Sequence, residues 1–209
     1  MAKLISLSIG NPKMETWVGG NEYSGINKQK VHAAFLTKRG FLDDDVADQK
    51  HHGGLDRAVC IYPFEHYKMW AEEFHKDFQP PAFGENLSIS GMLEKDVYIG
   101  DIYRIGDAVV QVTQGRIPCA KISNHNSVNA LLGRIVETGF SGYFFRVIEE
   151  GEITEDSDIK LVDRTQNQFS VLNVNQTLFH DRKNRKVIEQ IVNIKELAEK
   201  FRVSLEKCL

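Results

Sequence analysis

Cysteine is scarce in this chain: Cys60, Cys119 and Cys208 are the three it has in 209 residues, widely scattered and without paired spacing. An odd, unpaired set excludes a disulfide framework and implies a reducing compartment, so a cytoplasmic location is expected. No apolar run approaches the length that crosses a bilayer, and Met1 to Gly10 is too short and too alternating for a signal peptide. A soluble protein with no membrane partner follows as the expectation. Charge of one sign is also missing. With 26 Lys+Arg against 29 Asp+Glu the net charge is -3, so no global field calls for nucleic acid as a partner. There is no Gly-x-Gly-x-x-Gly after a strand to bind flavin or a nicotinamide nucleotide, and no HExxH or CxxC pattern to organise zinc.

What is present is a succession of short strands. Lys3 to Ile9 alternates in strand fashion, and Val31 to Leu36 and Ala58 to Tyr62 are further candidates. Pro63 then opens a helix whose Phe64, Tyr67, Trp70 and Phe74 form an apolar stripe, read as packing. Asn86 to Ile89, Val97 to Ile99, Ile102 to Ile105 and Ala108 to Thr113 follow as strands punctuated by Gly100 and Gly106, a spacing that suggests a curled or barrel-like sheet. Asn126 or Ser127 is placed to cap a helix through Ala130, Leu131, Ile135 and Val136 that stops at Gly139, and Phe140 to Ile148 returns as a strand.

After about Arg164 the pattern changes to three short amphipathic helices, carried by Val171, Val174 and Leu178, then Val187, Ile188 and Ile191, then Ile194, Leu197, Ala198 and Phe201. The expected architecture is therefore mainly β with α (α+β), a barrel-like domain over residues 1–165 followed by a small three-helix appendage over 166–209. Between Phe169 and Leu209 eight Lys/Arg stand against five Asp/Glu, a balance read chiefly as a solvated helix face.

Three segments carry chemistry. In Arg116-Ile-Pro-Cys119 a proline fixes the chain after a strand and presents a thiol, with Arg116 and Lys121 on either side to favour the thiolate. Asp48-Gln-Lys-His-His-Gly-Gly-Leu-Asp-Arg57 gathers imidazoles, carboxylates and cations around a glycine pair that lets backbone approach a ligand. Adjacent His51 and His52 would point to opposite faces of a strand, which argues against a zinc site there. Phe83-Gly-Glu-Asn-Leu87 places a carboxylate and an amide after a glycine.

The order of these motifs resembles the MOSC superfamily, and the resemblance is closest to its YiiM-like branch. It is carried by Ser24-Gly-Ile-Asn-Lys28, His52-Gly-Gly-x-Asp-Arg-Ala-Val59, Gly84-Glu-Asn-Leu87, Gly100-Asp-Ile-Tyr-Arg-Ile-Gly106, Gln114-x-Arg-x-Pro-Cys119 and Thr138-Gly-Phe-Ser-Gly-Tyr-Phe-Phe-Arg-Val147. The helical tail resembles the three-α domain that accompanies this branch. The resemblance implies a MOSC-type β-barrel-like domain that binds the molybdenum cofactor, a molybdopterin, with Cys119 as the protein's ligand to molybdenum. It further implies Arg116 and Lys28 against the pterin's phosphate, and His52, Asp56 and Asn86 lining the pocket, with Asp56 or His52 as the catalytic acid.

The activity implied is reductive dehydroxylation of small N-hydroxylated bases such as 6-N-hydroxylaminopurine, a detoxifying reaction. Electrons would come from an external flavin-type reductase. Two other readings stand beside it: a persulfide carrier related to cofactor sulfurases, and a non-catalytic cofactor-binding module. The chain departs from the family pattern at Gly115, where proline is usual, and at Val46, where glutamine is more common.

Overall fold

The computed structural model describes residues 2–17 and 20–209. The alternation at the start of the chain forms β1 (Lys3–Ile9), followed by β2 (Lys13–Trp17), β3 (Gly20–Ser24), β4 (Gln29–Lys30), β5 (Ala33–Thr37) and β6 (Gly40–Phe41). A 3-10 turn at Leu55–Arg57 leads into β7 (Val59–Pro63), then α1 (Glu65–Phe74), β8 (Leu87–Ser90), β9 (Ile102–Ile105) and β10 (Ala108–Gly115). Next come α2 (Lys121–Asn126), α3 (Leu131–Thr138), β11 (Tyr143–Glu149), β12 (Gly151–Thr154) and β13 (Ile159–Asp163). The chain closes with α4 (Val171–His180), α5 (Arg185–Val192) and α6 (Glu199–Glu206).

Eight strands form one curled sheet in the order β13-β9-β10-β11-β7-β8-β1-β4, a half-barrel beside the small sheet β12-β5-β6. Neighbours in the large sheet pair antiparallel except β7 and β8, which run parallel because α1 carries the chain across between them. Strand β10 is buried at every position and lies between β9 and β11, so it is the sheet's central rail. Its pairing with β11 shifts register between Val112 and Gln114, a bulge that re-aims the end of the strand.

Two apolar clusters hold the fold. The larger joins the inner faces of the sheet to Val171, Val174, Leu178, Ile188, Ile191, Leu197, Phe201 and Leu205 of the C-terminal helices. Burial of each such side chain contributes about 1.5–3 kcal/mol, so the helical tail, though last in the chain, is built into the main core. The smaller cluster sits under α1, α2 and α3, where Tyr67 and Trp70 of the aromatic stripe are buried and Phe64 and Phe74 pack on them.

Several expectations are adjusted. Val97 to Ile99 is not a strand, since Asp101 Oδ2 accepts from Tyr98 N (3.0 Å) and Gly100 takes φ +94°, which makes a turn with a single bridge from Tyr98 to Ser170. Ser127, with φ 51°, ends α2 and does not cap the next helix, whose N-cap is Ala130 with no side-chain bond. Gly139 stops α3 as expected, at φ 78°. The return strand begins at Tyr143, and β10 runs on to Gly115.

Candidate functional site

Where β10 leaves the sheet, Arg116 N donates to Gly142 O (2.9 Å), and the chain then runs without regular structure to α2. Cys119 lies in this connection, its carbonyl accepting from Ile122 N (3.1 Å) as α2 begins. The thiol is thus in a strand-to-helix loop, a few residues beyond the strand end at which it was expected. It is half-buried and lines a cleft of about 1160 Å³. Lys28, His52, Asn86 and Arg116 line the same cleft, so residues far apart in sequence are brought together.

The floor is a closed polar network. Lys28 is buried and its ammonium pairs with Asp44. Asp44 Oδ1 also accepts from Gly10 N (2.8 Å), and its Oδ2 accepts from Asn86 Nδ2 (2.9 Å). Asn86 Nδ2 donates in addition to Ser8 O (3.2 Å), and Asn86 Oδ1 accepts from Cys60 N (3.0 Å). Both amide hydrogens of Asn86 are therefore spent inside the protein. Buried polar groups that are fully paired act as scaffold, and this is the part Lys28, Asp44 and Asn86 play.

The walls keep more of their chemistry free. Arg116 is half-buried and one of its terminal nitrogens donates to Phe83 O (2.7 Å). Burial alone would lower its basicity, but the nearby Cys60, Cys119 and Glu85 groups outweigh that and raise it. Glu85 is buried and accepts from Tyr67 OH, Ser88 Oγ (2.6 Å) and Phe83 N (3.1 Å), so it anchors the residue whose carbonyl Arg116 binds. His52 is half-buried, and desolvation followed by the Arg116 charge push its imidazole below the ordinary value of 6.5. It is therefore predominantly neutral at neutral pH. Lys121, also on the cleft wall, pairs with Glu22 (2.9 Å) and donates to Tyr23 O (3.0 Å).

Asp56 requires a correction. Expected in the pocket as a candidate acid, it faces away: its Oδ1 pairs with Arg146 (2.8 Å) and its Oδ2 accepts from Glu199 N (3.2 Å) at the start of α6. The 3-10 turn at Leu55–Arg57 breaks the strand-like alternation that would have aimed it inward. Sequence reading missed Asp44, which sits in the acidic run Asp43-Asp44-Asp45, and Lys200 and Ser204, which reach the cleft from α6. It also missed Cys60, a buried second thiol on the cleft wall whose acidity burial weakens.

The lining of the cleft is predominantly cationic. Eight of its lining residues are Lys or Arg and three are Asp, in a chain of net charge -3. Among the described residues no group of three or more His, Cys, Asp or Glu is arranged to hold a bare metal ion. The donor set suits instead a ligand that brings its own metal ligands and an anionic group, needing from the protein one soft thiolate and a guanidinium. Of the departures from the family pattern, Val46 is half-buried on the cleft wall, and Gly115 is pressed against Asn175 of α4.

Comparison with known proteins identifies the family and the fold. A family model described as the MOSC domain matches residues 48–160, and one described as the YiiM-like, 3-alpha helix domain matches residues 170–209. An uncharacterised protein, YflK, of Bacillus subtilis is 38% identical over 205 residues, covering 98% of this chain and 93% of that one. A Gibberella moniliformis protein named "Reductase" is 36% identical over 166 residues, covering 77% of this chain and 29% of the longer relative. The crystal structure of YiiM from Geobacillus stearothermophilus superposes with a TM-score of 0.85 at 33% identity, covering 100% of both chains. The chain belongs to the MOSC-domain family, in its YiiM-like branch with the three-helix domain.

Proposed function

We propose that the cleft binds the molybdenum cofactor through Cys119, and that the chain is an oxidoreductase removing hydroxyl groups from N-hydroxylated bases or related compounds. A separate flavin-type reductase supplies the electrons. The carrying observation is the half-buried thiol beside Arg116 in a strongly cationic cleft large enough for a pterin. A reductase-named relative supports the reaction class. In this reading residues 1–165 are the catalytic domain and 166–209 its three-helix companion.

When bound, the cofactor supplies two electrons that, with two protons, convert N–OH to N–H and water. The chain's residues do the rest. Cys119 offers the soft sulfur ligand, and Arg116 has guanidinium N–H groups beyond the one given to Phe83 O with which to bind a phosphate. Lys28, already paired with Asp44, contributes by fixing the floor and not as a free charge. His52, neutral and half-buried at the cleft wall, hydrogen-bonds substrate and relays protons from solvent.

The test is reconstitution: chain loaded in a host that builds the cofactor, with a flavin reductase and 6-N-hydroxylaminopurine. Turnover by the wild type, abolished in Cys119→Ser, is the expected result, and no turnover by a demonstrably loaded chain over a panel of N-hydroxylated compounds overturns it. One observation favours a second reading, sulfur transfer: Cys60 places another thiol in the same cleft. A persulfide found on Cys119 by mass spectrometry after incubation with a cysteine desulfurase would select that reading.

A further inference from the structure

Two walls of the cleft are fastened to the C-terminal helices. On one side, Lys200 Nζ of α6 donates to Lys50 O (2.9 Å) and Gly53 O (3.3 Å), bridging the loop that carries His51 and His52. The same helix start gives Glu199 N to Asp56 Oδ2 (3.2 Å), and Arg146 ties Asp56 to Glu196 O (3.0 Å). Lys200 and Ser204, one turn apart on α6, both line the cleft. Among the described residues Lys200 makes no ion pair, so its ammonium is held by two carbonyl oxygens alone.

On the other side the helices grip the end of β10. Ala198 N donates to Thr113 O (3.0 Å), the carbonyl released at the β10 bulge. Two residues on, Gly115 lies against the side-chain amide of Asn175 from α4, so closely that a Cβ at 115 would stand 1.6 Å from Asn175 Oδ1. Asn175 is fully buried and cannot retreat, because its Nδ2 donates to Gly139 O (2.9 Å) and Ser141 Oγ (3.1 Å). Its Oδ1 has no hydrogen-bond partner and is spent on the approach to Gly115. An unpaired buried oxygen is costly, and it is kept where it blocks movement of the residue that precedes Arg116.

We propose that the three-helix segment is a structural part of the site, with Lys200 the positioning residue for the His52 loop and Asn175 the positioning residue for the Arg116–Cys119 connection. Gly115 then makes sense as a departure from the family's proline. The ring's rigidity is replaced by a tertiary contact that only glycine admits. The inference holds whichever cofactor or chemistry the cleft serves.

The test is hydrogen exchange on the full chain. The His51 and His52 amides, bonded to Asp48 Oδ1 (3.0 Å) and Asp48 O (2.8 Å), report the loop. Lys200→Met should raise their exchange about tenfold, the effect of losing one good hydrogen bond, with the amides of β1 unchanged. Lys200→Arg, which donates to two carbonyls equally well, should restore protection. Unchanged exchange in Lys200→Met, no rescue by arginine, or a uniform rise over the whole chain would each overturn the assignment. For the other wall, site-resolved maleimide labelling of Cys119 should accelerate several-fold both in Gly115→Ala, which displaces the contact, and in Asn175→Ala, which removes it, with the labelling rate of Cys208 unchanged. Cys119 rates equal to the wild type in either variant, or an equal rise at Cys208, would contradict the contact's role.

Discussion

The floor and the lip of the cleft are built on opposite rules. On the floor, Lys28, Asp44 and Asn86 are buried or nearly so and give their charges and hydrogen bonds to one another and to the backbone. On the walls that rise to the lip, His52, Arg116 and Cys119 are half-buried and keep donor or acceptor capacity unspent. The difference teaches which of a family's motif residues to call scaffold and which to call chemistry: a buried charge persists only if paired, whereas a reactive group must stay partly unpaired.

Breaking the floor should have the largest effect. Asp44→Ala strands the Lys28 ammonium, and loss of one partner of a buried pair costs about 3–5 kcal/mol, readable as a large fall in the urea midpoint. Replacing both, as Lys28→Met with Asp44→Leu, should recover most of that stability, since an apolar pair removes the desolvated charge altogether. If the single variant costs nothing, the floor is not the scaffold described.

Lip variants invert the pattern. Arg116→Ala loses a hydrogen bond to Phe83 O, about 1 kcal/mol of stability, but should lower cofactor content at least tenfold in purified protein. A full complement of cofactor would remove Arg116 from the phosphate site. Asn175→Ala alone should cost about 1–3 kcal/mol through lost bonds to Gly139 and Ser141, offset in part by release of its unpaired oxygen.

The smallest effect is in pH. His52 is held below its ordinary 6.5 by burial and the Arg116 charge, so above that value both folded and unfolded chains carry it neutral and it contributes nothing. As pH falls below 6.5 the unfolded chain takes up the proton first, which lowers the stability of the fold until the folded imidazole also titrates. His52→Gln should therefore match the wild type above pH 7 and lose less stability on acidification towards pH 5, measured by denaturant midpoints. A wild type that loses no more than the variant would contradict the desolvated placement.

Much of the fold was legible because periodicity and core are the same thing. The β1 alternation, the aromatic stripe of α1 and the first two tail helices bury apolar residues at regular spacing, whereas of the residues expected to carry the third helix Ile194, Leu197 and Ala198 precede α6 and only Phe201 lies in it. What escaped lacked that signal. The β2–β3 hairpin has no fully apolar face, and α2, Lys-Ile-Ser-Asn-His-Asn, is too short and polar to show a stripe. Of the site residues, Lys28, His52, Asn86, Arg116 and Cys119 do converge on one cleft. Asp56 does not, because its partners are Arg146 and the α6 amide, remote in sequence and invisible to local pattern. Lys200 was missed for the same reason: a lysine on a tail helix reads as a solvated charge until the loop it holds is placed beneath it.

The central claim is that Cys119 ligates a molybdenum cofactor. The most direct test is molybdenum and pterin content per chain of wild type and Cys119→Ser, both made with molybdate in a host that builds the cofactor, with circular dichroism to confirm equal folding. Near-stoichiometric metal and pterin in the wild type, with the metal lost in the serine variant, is the predicted result. Equal molybdenum in both, or none in the wild type beside a loaded control protein, would contradict the account.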